Sequence, residues 1–382
     1  MLTRLLPPPK KSVLLLGPRG TGKSTWIRQC FPDAVYYDLL DSNEALRLSK
    51  EPSLFSQETQ ALASGSWVVV DEVQKIPVLM DEVHRLIEQR KLNFVLCGSS
   101  ARKLKRDGVN LLAGRAIGAE MFPFVSAEVG IEIDFERVCS LGMMPSAYDS
   151  PDAVAYLRSY AQTYLQEEIR AEALTRDLGS FARFLEVAAR QNGQITNVSN
   201  IAREAWVARQ TVQGFFEILV DTLLGFWLPP WKLKRATKQV AHPKFFFFDS
   251  GVVRALSERL PYAPSREELG PLFETYMLHE IRAYLAYSDK RYPLYFWSSH
   301  DQVEVDLFCE TRKGFVAIEF KAAKQWDKKL GKGLLRIQGE LKKKNMKLYA
   351  VLPVERNAIV DGIEILPFNF FLQKMWRGEI FE

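Results

Sequence analysis

From Ser12 to about Phe124 the chain alternates short apolar runs with stretches whose apolar residues recur every three or four positions. Val13–Leu16, Ala34–Leu39, Trp67–Val70, Phe94–Cys97 and Ala116–Met121 read as strands. The first, third and fourth are almost purely apolar, the pattern of strands buried on both faces of a parallel sheet. Between them, Val78–Gln89 sets Leu79, Val83, Leu86 and Ile87 at helical spacing. Such alternation predicts an α/β fold with parallel strands and right-handed crossovers.

The rhythm then changes. From Pro151 to about Gln191 it is helical, clearest at Ala153–Leu165 and Phe181–Ala189. Helices are expected near Ser199–Ala205 and Ala208–Leu219, followed by aromatic, basic strands at Leu223–Trp231 and Lys244–Asp249 that suit a wing. The apolar pattern lapses around Pro261–Leu269. A helix over Pro271–Tyr287 is expected next, then strands at Leu294–Trp297, Val303–Cys309 and Phe315–Phe320, a helix, and a strand at Lys347–Leu352. These breaks divide the chain into residues 1–150, 151–262 and 263–382. No internal repeat or low-complexity segment appears.

Composition adds limits. A chain of 382 residues suggests roughly two or three domains. Hydrophobic content of 47% and charged content of 25% are those of a globular chain. The net charge of +5 permits a nucleic-acid partner without arguing for one. Cys30, Cys97, Cys139 and Cys309 are scattered, with no C-x-x-C pair and no histidine at ligand spacing. This argues against structural zinc or a disulfide framework and for a reducing cytoplasm. No apolar run reaches the roughly 18–20 residues that span a bilayer, and Met1–Lys11 lacks a signal-peptide apolar region. A cytoplasmic protein without a membrane partner is expected.

The sharpest chemical signal is Gly17-Pro18-Arg19-Gly20-Thr21-Gly22-Lys23-Ser24, which fits G-x-x-x-x-G-K-[ST]. An apolar strand runs into it, and Thr25 to Gln29 continues it as a helix. Glycines let backbone N–H groups curl around phosphates, and the helix N-terminus adds a favourable dipole. Lys23 is suited to the β/γ-phosphates and the Ser24 hydroxyl to Mg²⁺. In Trp67-Val-Val-Val-Asp71-Glu72 a buried strand delivers two carboxylates at its C-terminal end, where ligands bind in open α/β sheets. Asp71 would hold Mg²⁺ through water, and Glu72 would orient and deprotonate the attacking water. A third strand ends in Gly98-Ser99-Ser100, where a hydroxyl can report the γ-phosphate; an ordinary strand-ending turn is the alternative. Arg115, after Leu111-Leu-Ala-Gly114, is suited to stabilising phosphoryl transfer in cis or from a neighbouring subunit, or is simply structural.

The phosphate loop with Pro18-Arg19, the Asp71-Glu72-Val73-Gln74-Lys75 run, Cys97-Gly-Ser-Ser100 and Leu112-Ala-Gly-Arg115 resemble the prokaryotic AAA-type ATPases. They resemble in particular the branch whose core is followed by a winged helix and a restriction-endonuclease-like domain of unknown function. The resemblance covers nearly the whole chain. It implies a five-stranded P-loop core, ATP rather than GTP with Mg²⁺, Asp71 and Glu72 as the metal-binding and catalytic acids, Ser99 as a sensor, Arg115 as a finger, and a homo-oligomer.

Two later segments bear on what such an ATPase controls. Arg209, Gln210 and Gln213, at the start of the second helix of the pair, can face a DNA groove, and Lys232, Lys234, Arg235 and Lys238 form a basic run suited to phosphates. The same unit serves equally as a protein–protein module with a solvated basic face. In Val303-Glu304-Val305-Asp306-Leu307-Phe308, alternation puts Glu304 and Asp306 on one face, and in Ala317-Ile-Glu319-Phe-Lys321 it puts Glu319 and Lys321 on one face. Asp306 and Glu319 on neighbouring strands, with Glu274 from the preceding helix, can hold a divalent metal, and Lys321 can position water for phosphodiester attack. The set resembles the D…E-x-K signature of restriction-endonuclease-like nucleases, although such domains also serve as binding platforms. The basic Lys328–Lys347 stretch either tracks nucleic acid or is a solvated helix face. Two functions stand open: an ATPase coupled to a DNA-directed, nuclease-like module, or a nucleotide-driven switch that presents a protein-interaction platform and cuts nothing.

Overall fold

The computed structural model describes residues 2–100, 115–164, 177–232, 242–299, 301, 303–341 and 345–382. The chain divides into two compact units. One is Thr3–Pro123 with Ile218–Leu224; the other is formed by Phe124–Glu217 and Gly225–Glu382.

In the N-terminal unit β1 (Val13–Leu16) leads into α1 (Lys23–Cys30), followed by β2 (Val35–Asp38), β3 (Trp67–Asp71), α2 (Leu79–Arg90), β4 (Asn93–Gly98) and β5 (Ile117–Glu120). The five strands are all parallel, in the order β2-β3-β4-β1-β5. The apolar runs account for the centre of the sheet: Val68, Val69, Val70, Phe94, Val95 and Leu96 are fully buried. Leu79, Val83 and Leu86 of α2 close one face together with Phe55. Removing the Phe94 ring would cost about 3–5 kcal/mol in such a core. Because every strand points the same way, the residues that follow β1, β3 and β4 emerge at one edge of the sheet. Local backbone rules thus decide where the chemistry gathers.

In the second unit α3 (Leu178–Arg190) precedes a helix pair, α4 (Val198–Glu204) and α5 (Arg209–Asp221, of which the residues to Glu217 belong to this unit), and an antiparallel pair, β6 (Gly225–Leu228) with β7 (Lys244–Phe247). Asn197 caps α4 by accepting from the N–H groups of Ser199 and Asn200, which satisfies donors the helix leaves open. The expected helix at Ala153–Leu165 is α-helical only over Ala153–Ser159 and continues as a π-turn at Tyr160–Tyr164, with the buried Tyr160 ring 6.4 Å from that of Phe248. After α6 (Ser250–Leu256) comes the long α7, Arg266–Tyr287. It begins inside the stretch where the apolar pattern lapses, because its first turn is exposed and is set by a capping box between Ser265 and Glu268.

The chain ends in a six-stranded mixed sheet built from β8 (Leu294–Ser298), β9 (Glu304–Thr311), β10 (Gly314–Phe320), β11 (Met346–Leu352), β12 (Ala358–Val360) and β13 (Ile363–Pro367). Its order is β12-β13-β11-β10-β9-β8. Helix α8 (Lys332–Glu340) contributes Leu334 and Ile337 to a core with Val305, Phe308, Ala317, Leu348 and Ala350. Helix α9 (Phe368–Trp376) follows β13. All four cysteines are free thiols, and among the described residues no helix is long and apolar enough to cross a membrane.

Candidate functional site

The loop between β1 and α1 turns on residues without a Cβ. Gly20 and Gly22 adopt φ of 79° and 87°, a region that penalises side chains, and Gly22 delivers Lys23 as the first residue of α1. Lys23 is buried, and its ammonium donates to the Gly17 carbonyl at 2.7 Å and the Pro18 carbonyl at 3.1 Å. The Thr21 hydroxyl closes the loop on Pro18 at 2.8 Å. Arg4 reaches the same loop, donating to the Thr21 carbonyl at 2.5 Å and to that of Phe122 at 2.6 Å. Arg19 and Thr25 lie at the accessible side of the loop.

Beside it stand Asp71, the last residue of β3, and Glu72, which follows it. The Ser24 hydroxyl donates to Asp71 Oδ2 at 2.8 Å, so the two expected magnesium ligands from segments far apart in sequence are in contact. Tyr36 of β2, to which the sequence offered no clue, donates to the same oxygen at 2.5 Å. Burial first, and then the bond to Asp71, raises the Tyr36 pKa, so the phenol stays a donor. Glu72 has a left-handed backbone, φ 56°, a conformation that costs about 1–2 kcal/mol for a residue with a Cβ. Its carboxylate accepts from Gln74 Nε2 and, at 3.4 Å, from the Ser99 hydroxyl. Gln74 also reaches Ser99 Oγ at 3.3 Å. The amide passes so close to the end of β4 that a Cβ on Gly98 would lie 2.4 Å from Gln74 Oε1. Gln74 therefore couples the acid to the hydroxyl, a role that its place in the Asp71–Lys75 run did not reveal. Among the described residues neither Asp71 nor Glu72 forms an ion pair.

Arg115 is not brought to this edge. It precedes β5, whose first residue pairs in register with Val13 at the start of β1, so it lies at the N-terminal edge of the parallel sheet. There it pairs with Glu88 of α2. Leu111–Gly114 lie outside the described residues, as do Lys234, Arg235 and Lys238. Arg209, Gln210 and Gln213 are exposed at the start of α5, and Lys232 is exposed after β6. Next to α5 stands Trp206, 85% exposed and at φ 56°.

The second unit does bring Glu274, Asp306, Glu319 and Lys321 into one electrostatic cluster. One step beyond the register that pairs Ile318 with Leu307, Glu319 and Asp306 stand across β9 and β10. Asp306 accepts from the Phe320 N–H at 2.8 Å. Lys321 lies 2.5 Å from Glu319 Oε1 and 3.2 Å from Asp306 Oδ2. Lys244, the first residue of β7, also belongs here: its ammonium is 3.5 Å from Glu274 Oε1 and 3.2 Å from Glu304 Oε2. Burial drives the Glu274 carboxyl well above its usual range, with Asp306 adding and Lys244 opposing. Burial and then Asp306 do the same to Glu319, against Lys321. Burial pulls Lys244 down, but the Glu274, Asp306 and Glu304 carboxylates together outweigh it and hold the ammonium charged. Among the described residues, no three His, Cys, Asp or Glu side chains are arranged to hold a metal ion.

Comparison with known proteins divides the chain in three. Residues 9–130 match the family model described as an AAA domain, residues 132–262 that of a domain of unknown function (DUF8612), and residues 269–371 that of another domain of unknown function (DUF4143). Residues 9–130, which the AAA-domain model matches, are the stretch that forms the parallel five-stranded sheet. "Uncharacterized protein Rv2008c" of Mycobacterium tuberculosis and "Uncharacterized protein Mb2031c" of Mycobacterium bovis are each 27% identical over 308 residues, 78% of this chain and 67% of theirs. Among solved structures, that of the Aeropyrum pernix ORC1 protein in complex with DNA is similar at 14% identity and a TM-score of 0.29, over 66% of this chain and 87% of that one.

Proposed function

We propose that this protein binds ATP with Mg²⁺ at Gly17–Ser24 and hydrolyses it, and that the nucleotide state governs a module in the second unit. The observation that carries the reading is the Ser24–Asp71 hydrogen bond of 2.8 Å beside Lys23. A hydroxyl and a carboxylate in contact, with no lysine neutralising the acid, form an oxygen donor set that suits Mg²⁺. Ser24 and Asp71 would hold Mg²⁺, which would supply positive charge against the phosphates during transfer. Lys23 exchanges the Gly17 and Pro18 carbonyls for phosphate oxygens. Tyr36 holds Asp71 in place, and Gln74 and Ser99 orient Glu72. Glu72 takes the proton of the attacking water while the bond from γ-phosphorus to the ADP oxygen breaks. Arg115, at the far edge of the sheet, serves a neighbouring copy in a homo-oligomer rather than its own site.

The test is Glu72→Gln. It should bind ATP like wild type and lose turnover by about 10²–10⁴-fold, the usual worth of a general base. Full retained turnover refutes the assignment.

For the controlled module, the exposed Arg209, Gln210, Gln213 and Lys232 support a DNA-directed reading, with the Asp306, Glu319 and Lys321 cluster as its nuclease-like centre. The second reading, a switch that presents a protein-interaction platform, is favoured by one specific observation: the carboxylates of that cluster are already paired with Lys244 and Lys321. Incubating wild type and Lys321→Ala with single- and double-stranded DNA, Mg²⁺ or Mn²⁺, with and without ATP, separates them. Cleavage lost in Lys321→Ala supports the nuclease; no cleavage by either supports the switch.

A further inference from the structure

Lys244 enters the acidic cluster from β7, an element that carries none of the acids. Its side chain is only 5% exposed, yet it ends in a charge that contacts Glu274 of α7 and Glu304 of β9. Lys244 is bridged through its backbone to Ile195, and its ammonium stands 5.3 Å from the centre of the Phe296 ring, so packing as well as charge holds it there. Two carboxylate oxygens of the cluster, Glu274 Oε1 and Glu319 Oε2, are buried and accept no hydrogen bond; the Lys244 ammonium stands 3.5 Å from the first, while Lys321 holds the other oxygen of Glu319. An oxygen in that state is costly unless a cation stands against it. Hard oxygen donors drawn from two strands and a helix are what a divalent cation takes. Here the cations are instead ammonium groups, and the carboxylates are turned to them.

We propose that Lys244 occupies the seat of a divalent cation, so that the cluster is closed to Mg²⁺ and Mn²⁺ as it stands and Lys244 is the residue that decides this. With a neutral residue at position 244, Glu274 and Glu304 lose the ammonium they face and are free to turn, with Asp306, to a divalent cation. In the wild-type chain the seat opens only when β7 withdraws its first residue. This goes beyond the ATPase reading and does not depend on it.

The test is a titration of the full-length, nucleotide-free protein with Mn²⁺, following free Mn²⁺ by its paramagnetic resonance signal. Wild type and Asp306→Asn should bind equal amounts; loss of an equivalent in Asp306→Asn overturns the proposal. Lys244→Met should gain one equivalent, lose it again when combined with Asp306→Asn, and show a melting temperature that rises with Mn²⁺. Lys244→Arg should stay closed. A folded Lys244→Met chain that gains no Mn²⁺ also overturns the proposal, and Lys244→Gln replaces it if circular dichroism finds the methionine variant unfolded. ATP turnover, measured separately, reports on the Gly17–Ser24 site and not on this cluster.

Discussion

Each unit places acids at strand ends beside a buried or half-buried lysine, yet the two arrangements are electrostatic opposites. At the Gly17–Ser24 loop Lys23 spends its donors on the backbone carbonyls of Gly17 and Pro18, while Asp71 and Glu72 are held by neutral hydroxyl and amide groups. In the second unit Lys244 and Lys321 lie directly on the carboxylates. The first site keeps its charges of both signs unspent, which is what a ligand carrying phosphates and a divalent cation needs. The second has spent them internally. A buried ion pair is weak evidence of stability and stronger evidence that the charges are not free for other work.

The contrast can be broken at several points. The largest effect is expected at the open site: Lys23→Ala should abolish measurable phosphate release, with nucleotide affinity falling as well, because no other described side chain of the loop carries a buried charge. Lys244→Met should leave turnover intact but destabilise the second unit by about 1–3 kcal/mol in urea unfolding, since it removes the ammonium that Glu274 and Glu304 face. Little change there would mean that the pairing is not what neutralises the cluster.

A third kind of buried acid sharpens the comparison. Glu280 is fully buried and, among the described residues, has no lysine partner; it accepts from Ser126 N–H at 2.6 Å and from Ser126 Oγ, Tyr276 OH and Trp376 Nε1 at 3.0 Å each. Burial outweighs these donors and pushes its pKa up from 4.5 to about 7. The folded state therefore keeps its proton where the unfolded state has released it. This stabilisation is complete below about pH 4.5 and is lost as pH rises through about 7, a change of about 3 kcal/mol. Urea titrations across that window should show the decline in wild type and a flatter profile in Glu280→Gln. The smallest effect is expected from Tyr36→Phe, which removes one hydrogen bond to Asp71 and should weaken Mg²⁺-dependent nucleotide binding by about 1 kcal/mol, measured calorimetrically.

Much of the N-terminal unit was legible because its signals are local. Runs such as Val68–Val70 and Phe94–Leu96 are apolar at every position, which only a doubly covered strand tolerates, and both are fully buried in the sheet. The second unit was harder to read. Strands β12 and β13 and helix α9 were not among the expected elements, although α9 buries Phe368, Phe371, Leu372 and Met375 at helical spacing, and α7 starts ahead of its apolar stripe because a polar capping box defines it. Arg115 shows the opposite difficulty. Its residue type suggested phosphate chemistry, while its position before β5 sets it at the other edge of the sheet.

What the sequence determined by itself is the glycine-rich turn at Gly17–Ser24 between strand and helix, and the acids Asp71 and Glu72 where β3 ends. Glycine spacing, an apolar strand and a helix start within one short segment, and backbone sterics act between neighbours. Only the tertiary structure decided that Tyr36 braces Asp71, that Gln74 joins Glu72 to Ser99, and that Lys244 fills the acidic cluster. Those contacts are made across strands and between elements remote in the chain. Hydrogen bonds and ion pairs depend on separations of a few ångströms in space, which no periodicity along the sequence encodes.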